Sequence, residues 1–498
     1  MTQDDKKRDV QEQQTEADDT GYQQKHRPSR EFGSRADYLH NELSIMSPKR
    51  WALNLPFKDY RIEPEDMIPA LAATIGKIVM VAAVVGAFAG PLNLSDAFVV
   101  ENTRFEMLIA VLFVIGFSGM FNPTANLAGT HGPMIPLIPL IVTAGGHPLS
   151  LGLLVGLFGL ILGISRGGSK LMALTSDGVR GGLLIYLGAI GLLSQIGSLT
   201  DWANASGMGY VAFVVILVTI VMYALLARLE MRWLSIPLGS GIAFLIAFAL
   251  GAPFEFVTEP GFPTLSPAYW WGADTGWKIG LPGFSEFLST APFAILAVAM
   301  WSPDVMGQRV FQEINYPRKA DKVLMRVDDT MGVAAVRQAV GSALGGGNLS
   351  SSWGTYIIPA AIAKRPIPGG AILTGIMCVI AALWGYPMDL AVWPPVLNVA
   401  LMVGVFMPLL EAGMQMTRDI RSSQSAGIVV FGSAFVNPVF GWSVAMLLDN
   451  LGLIGDKERG RRLHYMDRWV LPGITFVILL VIMAAVGMLP GIPAFIPH

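Results

Sequence analysis

Charge is scarce in this chain. Asp, Glu, Lys and Arg together make 14% of its 498 residues, against roughly a quarter in soluble domains, which excludes an ordinary soluble enzyme. Cysteine is nearly absent: Cys378 stands alone, so neither an internal disulfide nor a thiolate metal cluster can form. No sign of charge dominates, and a formal net charge of −2 supplies no basic field for holding nucleic acid. Catalytic patterns are missing as well. There is no His-rich metal set and no Ser/His/Asp elbow, and Gly345-Gly346-Gly347 lacks the Lys of a phosphate-binding loop, which argues against an enzyme. Nothing in the pattern asks for a cofactor beyond a sodium ion or a proton as coupling ion. What is abundant is apolar sequence: 53% of the residues are hydrophobic, gathered in runs long enough to cross a bilayer, about 20 residues each.

Residues 1–50 carry many Asp, Glu, Lys, Arg and Gln and few large apolar side chains. Such a composition predicts a disordered cytoplasmic tail with no cleaved signal peptide. Residues 51–67 mix Trp51, Leu53, Leu55, Phe57 and Tyr60 with Lys58, Asp59 and Arg61, which predicts an interfacial linker or a segment touching the bundle. Spans are expected near 68–90, 107–125, 149–165, 181–199, 208–227, 234–252, 288–308, 328–346, 368–385, 393–416 and 469–489. The apolar segments 129–145, 354–363 and 425–455 are short or broken by Gly, Pro and Asn and predict half-helices, the last a re-entrant hairpin folded at Asn437-Pro438. Basic residues mark the cytoplasmic loops: Arg166, Lys170 and Arg180, then Arg228 and Arg232, then Arg318, Lys319, Lys322 and Arg326. Asp96, Glu101 and Glu106, Asp201, and Glu255, Glu259 and Asp274 fall in the intervening loops, expected outside. The chain thus reads as an all-α polytopic protein of the cytoplasmic (inner) membrane, its N-terminus cytoplasmic and its partners the lipid bilayer and a small-molecule or ion substrate.

Residues 126–135, NLAGTHGPMI, recur as NLSSSWGTYI at 348–357. An odd number of segments between the copies turns the second one upside down, and seven plus seven is the natural count for an inverted repeat. Each copy opens on a small, polar stretch and then becomes helical, which sets a half-helix N-terminus, with free N–H groups, near the midplane. One further helix follows at the C-terminus.

Residues 129–136, GTHGPMIP, together with Trp384-Gly385-Tyr386-Pro387, Trp393-Pro394-Pro395-Val396-Leu397 and Glu411-Ala412-Gly413-Met414, resemble segments three, eleven and twelve of the xanthine/uracil permeases and, more loosely, of the sulfate permeases, in a bacterial branch. The resemblance covers roughly residues 68–455. It implies a core domain at 68–180 and 288–391 and a gate domain at 181–287 and 392–455, with 456–498 as a basic loop plus the extra helix. It also implies elevator-like sliding of core against gate, often in a homodimer. Asp304, three residues before Gly307, matches the carboxylate of the eighth segment of the nucleobase permeases. Trp353 stands where their second carboxylate is expected, so the nucleobase clamp is incomplete.

An ionisable group at membrane depth is a functional candidate because burying it unpaired costs several kcal/mol. Lys77 and Asp304 lie in equivalent segments of the two repeats and should flank one cavity. His131 opens the first half-helix, where it could report or shuttle a proton. His147, beside Pro148, is expected in an interfacial loop, and Glu411 at the core–gate interface or the end of its helix. Thr130, Gly132, Ser350, Ser351, Ser352, Trp353 and Gly354 complete the substrate-binding set, with Asp304 and Ser352 as coupling-ion ligands. An inorganic or carboxylate anion suits Lys77 and two helix N-termini; a nucleobase suits the motif match and Trp353 as a stacking surface; a channel-like anion conductor is the third reading.

Overall fold

The computed structural model describes residues 21–165 and 174–496. Arg166 and Lys170 of the expected first basic loop, and residues 1–20 of the expected tail, lie outside them. Ten helices among the described residues are long and apolar enough to cross a membrane, so the chain is a multi-pass membrane protein. The first repeat contains α2 (Met67–Ala89), α3 (Asp96–Phe113, continued to Phe121 by widened π turns), a half-helix α4 (Gly132–Leu137, then Ile138–Thr143), α5 (Pro148–Ser165), α6 (Asp177–Ala205), α7 (Gly209–Arg228) and α8 (Ser235–Ala249). The second contains α9 (Phe284–Asn315), α10 (Val327–Ala343), the half-helix α11 (Gly354–Ile362), α12 (Ile367–Trp384), α13 (Pro394–Leu401, running on through a π turn to Met416), α14 (Ile420–Phe435) and α15 (Pro438–Asn450). A final helix, α16 (Leu471–Ala485), packs on α15 and α9. α1 (Arg35–Ile45) precedes them all.

By what they touch, the helices form two packed groups. α2, α3, α5 and α9 to α12 pack on one another around the half-helices, with α5 against α10, α3 against α12 and α2 against α11. In the other group α6 packs on α13 and α14, and α8 on α7 and α13. Small residues set how closely these pairs approach. On α5, Gly152, Gly156, Gly159 and Gly163 face Ser342, Ala339, Ala335 and Gly332 of α10; on α6, Gly181, Gly182 and Gly188 face Gly413, Ala426 and Leu410. The half-helices run in opposite senses. α11 ends beside the start of α2, where Arg365 pairs with Asp66 at 3.0 Å. α4 ends at the far side of the bundle, where the His147 ring meets the Gly280 carbonyl at 2.9 Å just before α9. The hairpin of α14 and α15 turns at Asn437, whose Oδ1 accepts from Phe440 N–H at 3.0 Å.

Three expectations need correcting. Residues 21–50 are ordered: Tyr38, Leu39, Glu42 and Leu43 of α1 are buried, and Tyr22, Leu43 and Met46 pack with Tyr60, Tyr316, Val323, Leu324 and Ala361 beneath the core helices. Their few apolar residues suffice because the rest of the chain supplies the surface. Asp96, Glu101 and Glu106 belong to α3 and not to a loop. Their charges are tolerated because the segment linking α8 to α9 folds over this end, Thr264 N–H donating to Glu101 at 2.6 Å and Arg104 bonding the Ala382 carbonyl at 2.8 Å and the Gly261 carbonyl. Finally, α10, expected as an apolar span, carries Asp329, Arg337 and Gln338 buried inside the bundle.

Candidate functional site

Between the long helices and the half-helices the chain is extended, at a depth where unpaired backbone groups are costly. The two extended strands solve this by pairing: Ala128 bridges Ser352 antiparallel, Gly129 N–H donates to the Ser351 carbonyl at 2.7 Å, and His131 N–H to the Leu349 carbonyl at 2.6 Å. Side chains satisfy much of the rest. Asn102 of α3 donates to the Gly345 carbonyl and accepts from Gly347 N–H, both at 2.9 Å. Glu106 accepts from Asn348 N–H at 3.0 Å, and Gln338 accepts from Ser350 N–H while donating to the Asn348 carbonyl at 3.0 Å. On the first strand, Asn126 N–H donates to Thr330 Oγ1 at 3.0 Å and Asn122 Nδ2 to Asp329 at 3.0 Å.

Glu106 forms an ion pair with Arg337, both side chains 0% exposed. Arg337 also donates to Ser350 Oγ at 3.0 Å. Ser350 is therefore part of the frame behind the strand, apart from its two neighbours. Ser351 and Ser352 donate to Asp304 Oδ2 at 3.3 and 2.7 Å, and Gln308, one turn further along α9, donates to the same oxygen at 3.1 Å. Asp304 itself is exposed to a cavity of about 650 Å³.

That cavity lies between the two helix groups. Lys77, His131, Asp304, Ser352 and Gly354 line one wall, and Ile236, Val403 and Leu409 line the other. It extends to Arg180, Arg232, Glu411 and Gln415, where Arg232 and Glu411 pair and Gln415 is exposed. Lys77 is only 1% exposed. Its Nζ donates to the Gly129 carbonyl and to Thr130 Oγ1, both at 3.1 Å, and lies 5.1 Å from the centre of the Trp353 ring. Among the described residues no carboxylate pairs with it. Thr130 Oγ1 in turn donates to Asn348 Oδ1 at 2.8 Å. Trp353 is 2% exposed with Lys77 over its ring, so it offers the cavity no open stacking face. His131 is buried and its Nε2 has no hydrogen-bond partner among the described residues. Neither half-helix start is capped by a side chain. Gly132 lets α4 approach the other wall, because a Cβ there would sit 3.0 Å from Val405 Cγ1. Gly354 likewise faces Gln308, 3.3 Å from where its Cβ would be.

The structure thus gathers Lys77, Thr130, His131, Gly132, Asp304, Ser351, Ser352, Trp353 and Gly354 around the crossing and sets Ser350 behind it. His147 is a boundary residue, its Nδ1 accepting from Leu149 N–H at 3.0 Å. Sequence reasoning missed Gln308 and the Glu106–Arg337 pair. For Arg337 the signal was present, an ionisable residue inside an apolar run; for Gln308 it was the one-turn spacing from Asp304.

A family model described as "Protein of unknown function (DUF3360)" matches residues 13–496. None of the curated proteins matches the chain in sequence. Among solved structures, the overall structure of SLC26A9 superposes with a TM-score of 0.54 at 13% identity, covering 77% of this chain. The chain spans 65% of that protein's length. The murine Solute Carrier 26 family member A9 anion transporter in its inward-facing state gives a TM-score of 0.54 at 13% identity, covering 79% of this chain and 69% of its own. The transmembrane domain of a cyanobacterium bicarbonate transporter, BicA, gives 0.46 at 14% identity, covering 84% and 96%. The chain shares the fold of these two SLC26A9 structures.

Proposed function

The chain belongs to the DUF3360 family, and we propose that it is a secondary active transporter moving a small inorganic or carboxylate anion across the cytoplasmic membrane. Core slides against gate in an elevator-like step, and a cation or proton taken up at Asp304 and Ser352 couples the movement. The observation that carries this reading is Lys77, an ammonium sealed under Trp353 with only a carbonyl and a hydroxyl as partners. An unpaired buried cation costs several kcal/mol, and two uncapped half-helix starts add positive potential at the same place. An anion seated at the crossing offsets both; at about 4 Å and an effective dielectric near 20 the attraction is on the order of 4 kcal/mol before desolvation. The fold shared with the murine SLC26A9 anion transporter supports the same reading. Arg180 and Arg232 at the mouth mark it as cytoplasmic by the positive-inside rule, so this conformation faces inward.

The test is uptake into proteoliposomes of labelled sulfate, bicarbonate and acetate, with uracil and xanthine alongside, under sodium or proton gradients. Lys77→Met is expected to weaken the transported anion about tenfold or more, equivalent to 1.4 kcal/mol, while Lys77→Arg retains part of the affinity. Uptake of a nucleobase that survives Lys77→Met and is lost in Trp353→Ala would overturn the anion reading.

A further inference from the structure

Gln308 connects more of the site than any residue the sequence singled out. Its Nε2 donates to Asp304 Oδ2 at 3.1 Å and to Ser352 Oγ at 2.8 Å, and its Oε1 accepts from Asn126 Nδ2 at 2.9 Å. An amide side chain could be turned end for end, but here the orientation is dictated from the backbone. Leu127 N–H donates to Asn126 Oδ1 at 2.8 Å, and a backbone N–H can only donate. Asn126 must therefore present its NH₂ to Gln308, Gln308 must present its carbonyl to Asn126, and its NH₂ is left facing Asp304 and Ser352. Ser352 Oγ, already accepting from Gln308, directs its own proton to Asp304 at 2.7 Å, and Ser351 adds a third donor at 3.3 Å.

We propose that Gln308 is the positioning residue of the Asp304 centre: its amide, oriented through Asn126 by the backbone of the first crossing strand, aims the neighbouring donors at the carboxylate and holds Asp304 as an ionised acceptor. The inference rests on the reading of Asp304 as the coupling group. It deepens that reading by giving the free partner of the site one chemistry, a cation or proton arriving from the cavity, with no donor left to receive. The relay also ties both crossing strands to α9, so the carboxylate and the two half-helix starts move together. The charged and titratable groups around the centre are Lys77 from α2, His131 at the start of α4, and the Glu106–Arg337 pair behind the second strand. Arg309 turns away to Glu313 and the Met325 carbonyl.

Infrared difference spectroscopy on the full-length protein in liposomes reads this without any substrate. Subtracting Asp304→Asn from the wild type isolates the Asp304 band, which at neutral pH is expected to be that of a carboxylate. In Gln308→Leu, and in Asn126→Ala, which leaves every contact of Asp304 in place while freeing the amide to turn, the pH at which half of this band is protonated should rise by about one unit. Ser350→Ala loosens the same strand without touching the relay and should leave that midpoint unmoved. An unmoved midpoint in folded Gln308→Leu, or an equal shift in Ser350→Ala, overturns the proposal. If Gln308→Leu fails to assemble, Asn126→Ala decides. A shifted midpoint in a protein that transports no anion would leave the relay standing and remove the transport reading; normal anion uptake with an unmoved midpoint would do the reverse.

Discussion

Gly129 carries the tightest constraint in the crossing. A Cβ there would sit 2.8 Å from both the Ser352 carbonyl oxygen and Trp353 Cα, main-chain atoms that cannot swing aside. Its carbonyl also holds Lys77. Gly129→Ala should therefore cost about 1–3 kcal/mol through overpacking and lower the thermal midpoint in detergent by several degrees. Gly116→Ala, where a Cβ meets nothing within 4 Å, should not lower it; equal behaviour of the two variants would show that the strands are not locked as described. Lys77 and Asp304 were legible from sequence because each is an ionisable residue in an apolar run, where chance occurrence is penalised. Ser350, Ser351 and Ser352 were not separable, being chemically identical neighbours. Only the buried guanidinium of Arg337, on a different helix, diverts the first of them. Gln308 was not legible because a neutral amide near the end of a long helix looks like any surface residue until Asn126 and Asp304 are seen on either side of it.

At the level of elements, the two halves build the same device from different sequence. α11 is a regular helix, whereas α4 begins as a tighter 3₁₀ turn because Pro133, Pro136 and Pro139, spaced by three, remove N–H groups that an α-helix would need. The repeat was readable from residues 126–135 and 348–357 because irregular backbone inside a membrane needs Gly and small polar residues. α1 was misread because composition was taken over 50 residues, while the information lies in a stripe: Tyr38, Leu39, Glu42, Leu43 and Met46 all fall on one face. Glu42 is the hub of this arm, accepting from Tyr22 and meeting the His26 ring at 2.8 Å. Burial, and then the bond to Glu42, push the Tyr22 phenol well above its ordinary value. The phenol therefore keeps its proton across the physiological range, and any stability it lends falls away only as the pH climbs past about 10. Glu42→Ala leaves a buried hydroxyl without its acceptor, a loss of about 1–3 kcal/mol. Tryptic cleavage after Lys25 and Arg30 at neutral pH should accelerate about tenfold. Unchanged cleavage would mean that the arm is held by other contacts.

Across the whole molecule, the elevator reading turns on whether the wall carrying Lys77 and Asp304 moves past the wall carrying Val403 and Val405. Two contacts flank the connection that follows α8. After α8, the Pro253 carbonyl accepts from the Trp393 indole of the gate at 3.0 Å. Five residues later, Thr258 donates to Asp389 beside α12 of the core, its hydroxyl at 2.6 Å and its N–H at 3.2 Å. On the elevator reading, the part of this connection left free to follow a displacement is the short stretch around Glu255. The contact that must break is Gly132 against Val405, since a Cβ on Gly132 would lie 3.0 Å from Val405 Cγ1, close enough for a disulfide between two introduced cysteines. The native Cys378 is buried and does not compete. In Gly132→Cys/Val405→Cys, oxidation should arrest anion uptake in proteoliposomes and reduction should restore it, with either single variant indifferent to both treatments. The mouth beside Arg232 and Glu411 should stay open to a membrane-impermeant thiol reagent at an introduced Gln415→Cys in the oxidised protein, because the bond traps the arrangement in which this mouth is open. If the oxidised protein, its cross-link verified by mass spectrometry, transports at the reduced rate, then core and gate do not slide at this contact and the cavity is emptied by some other movement.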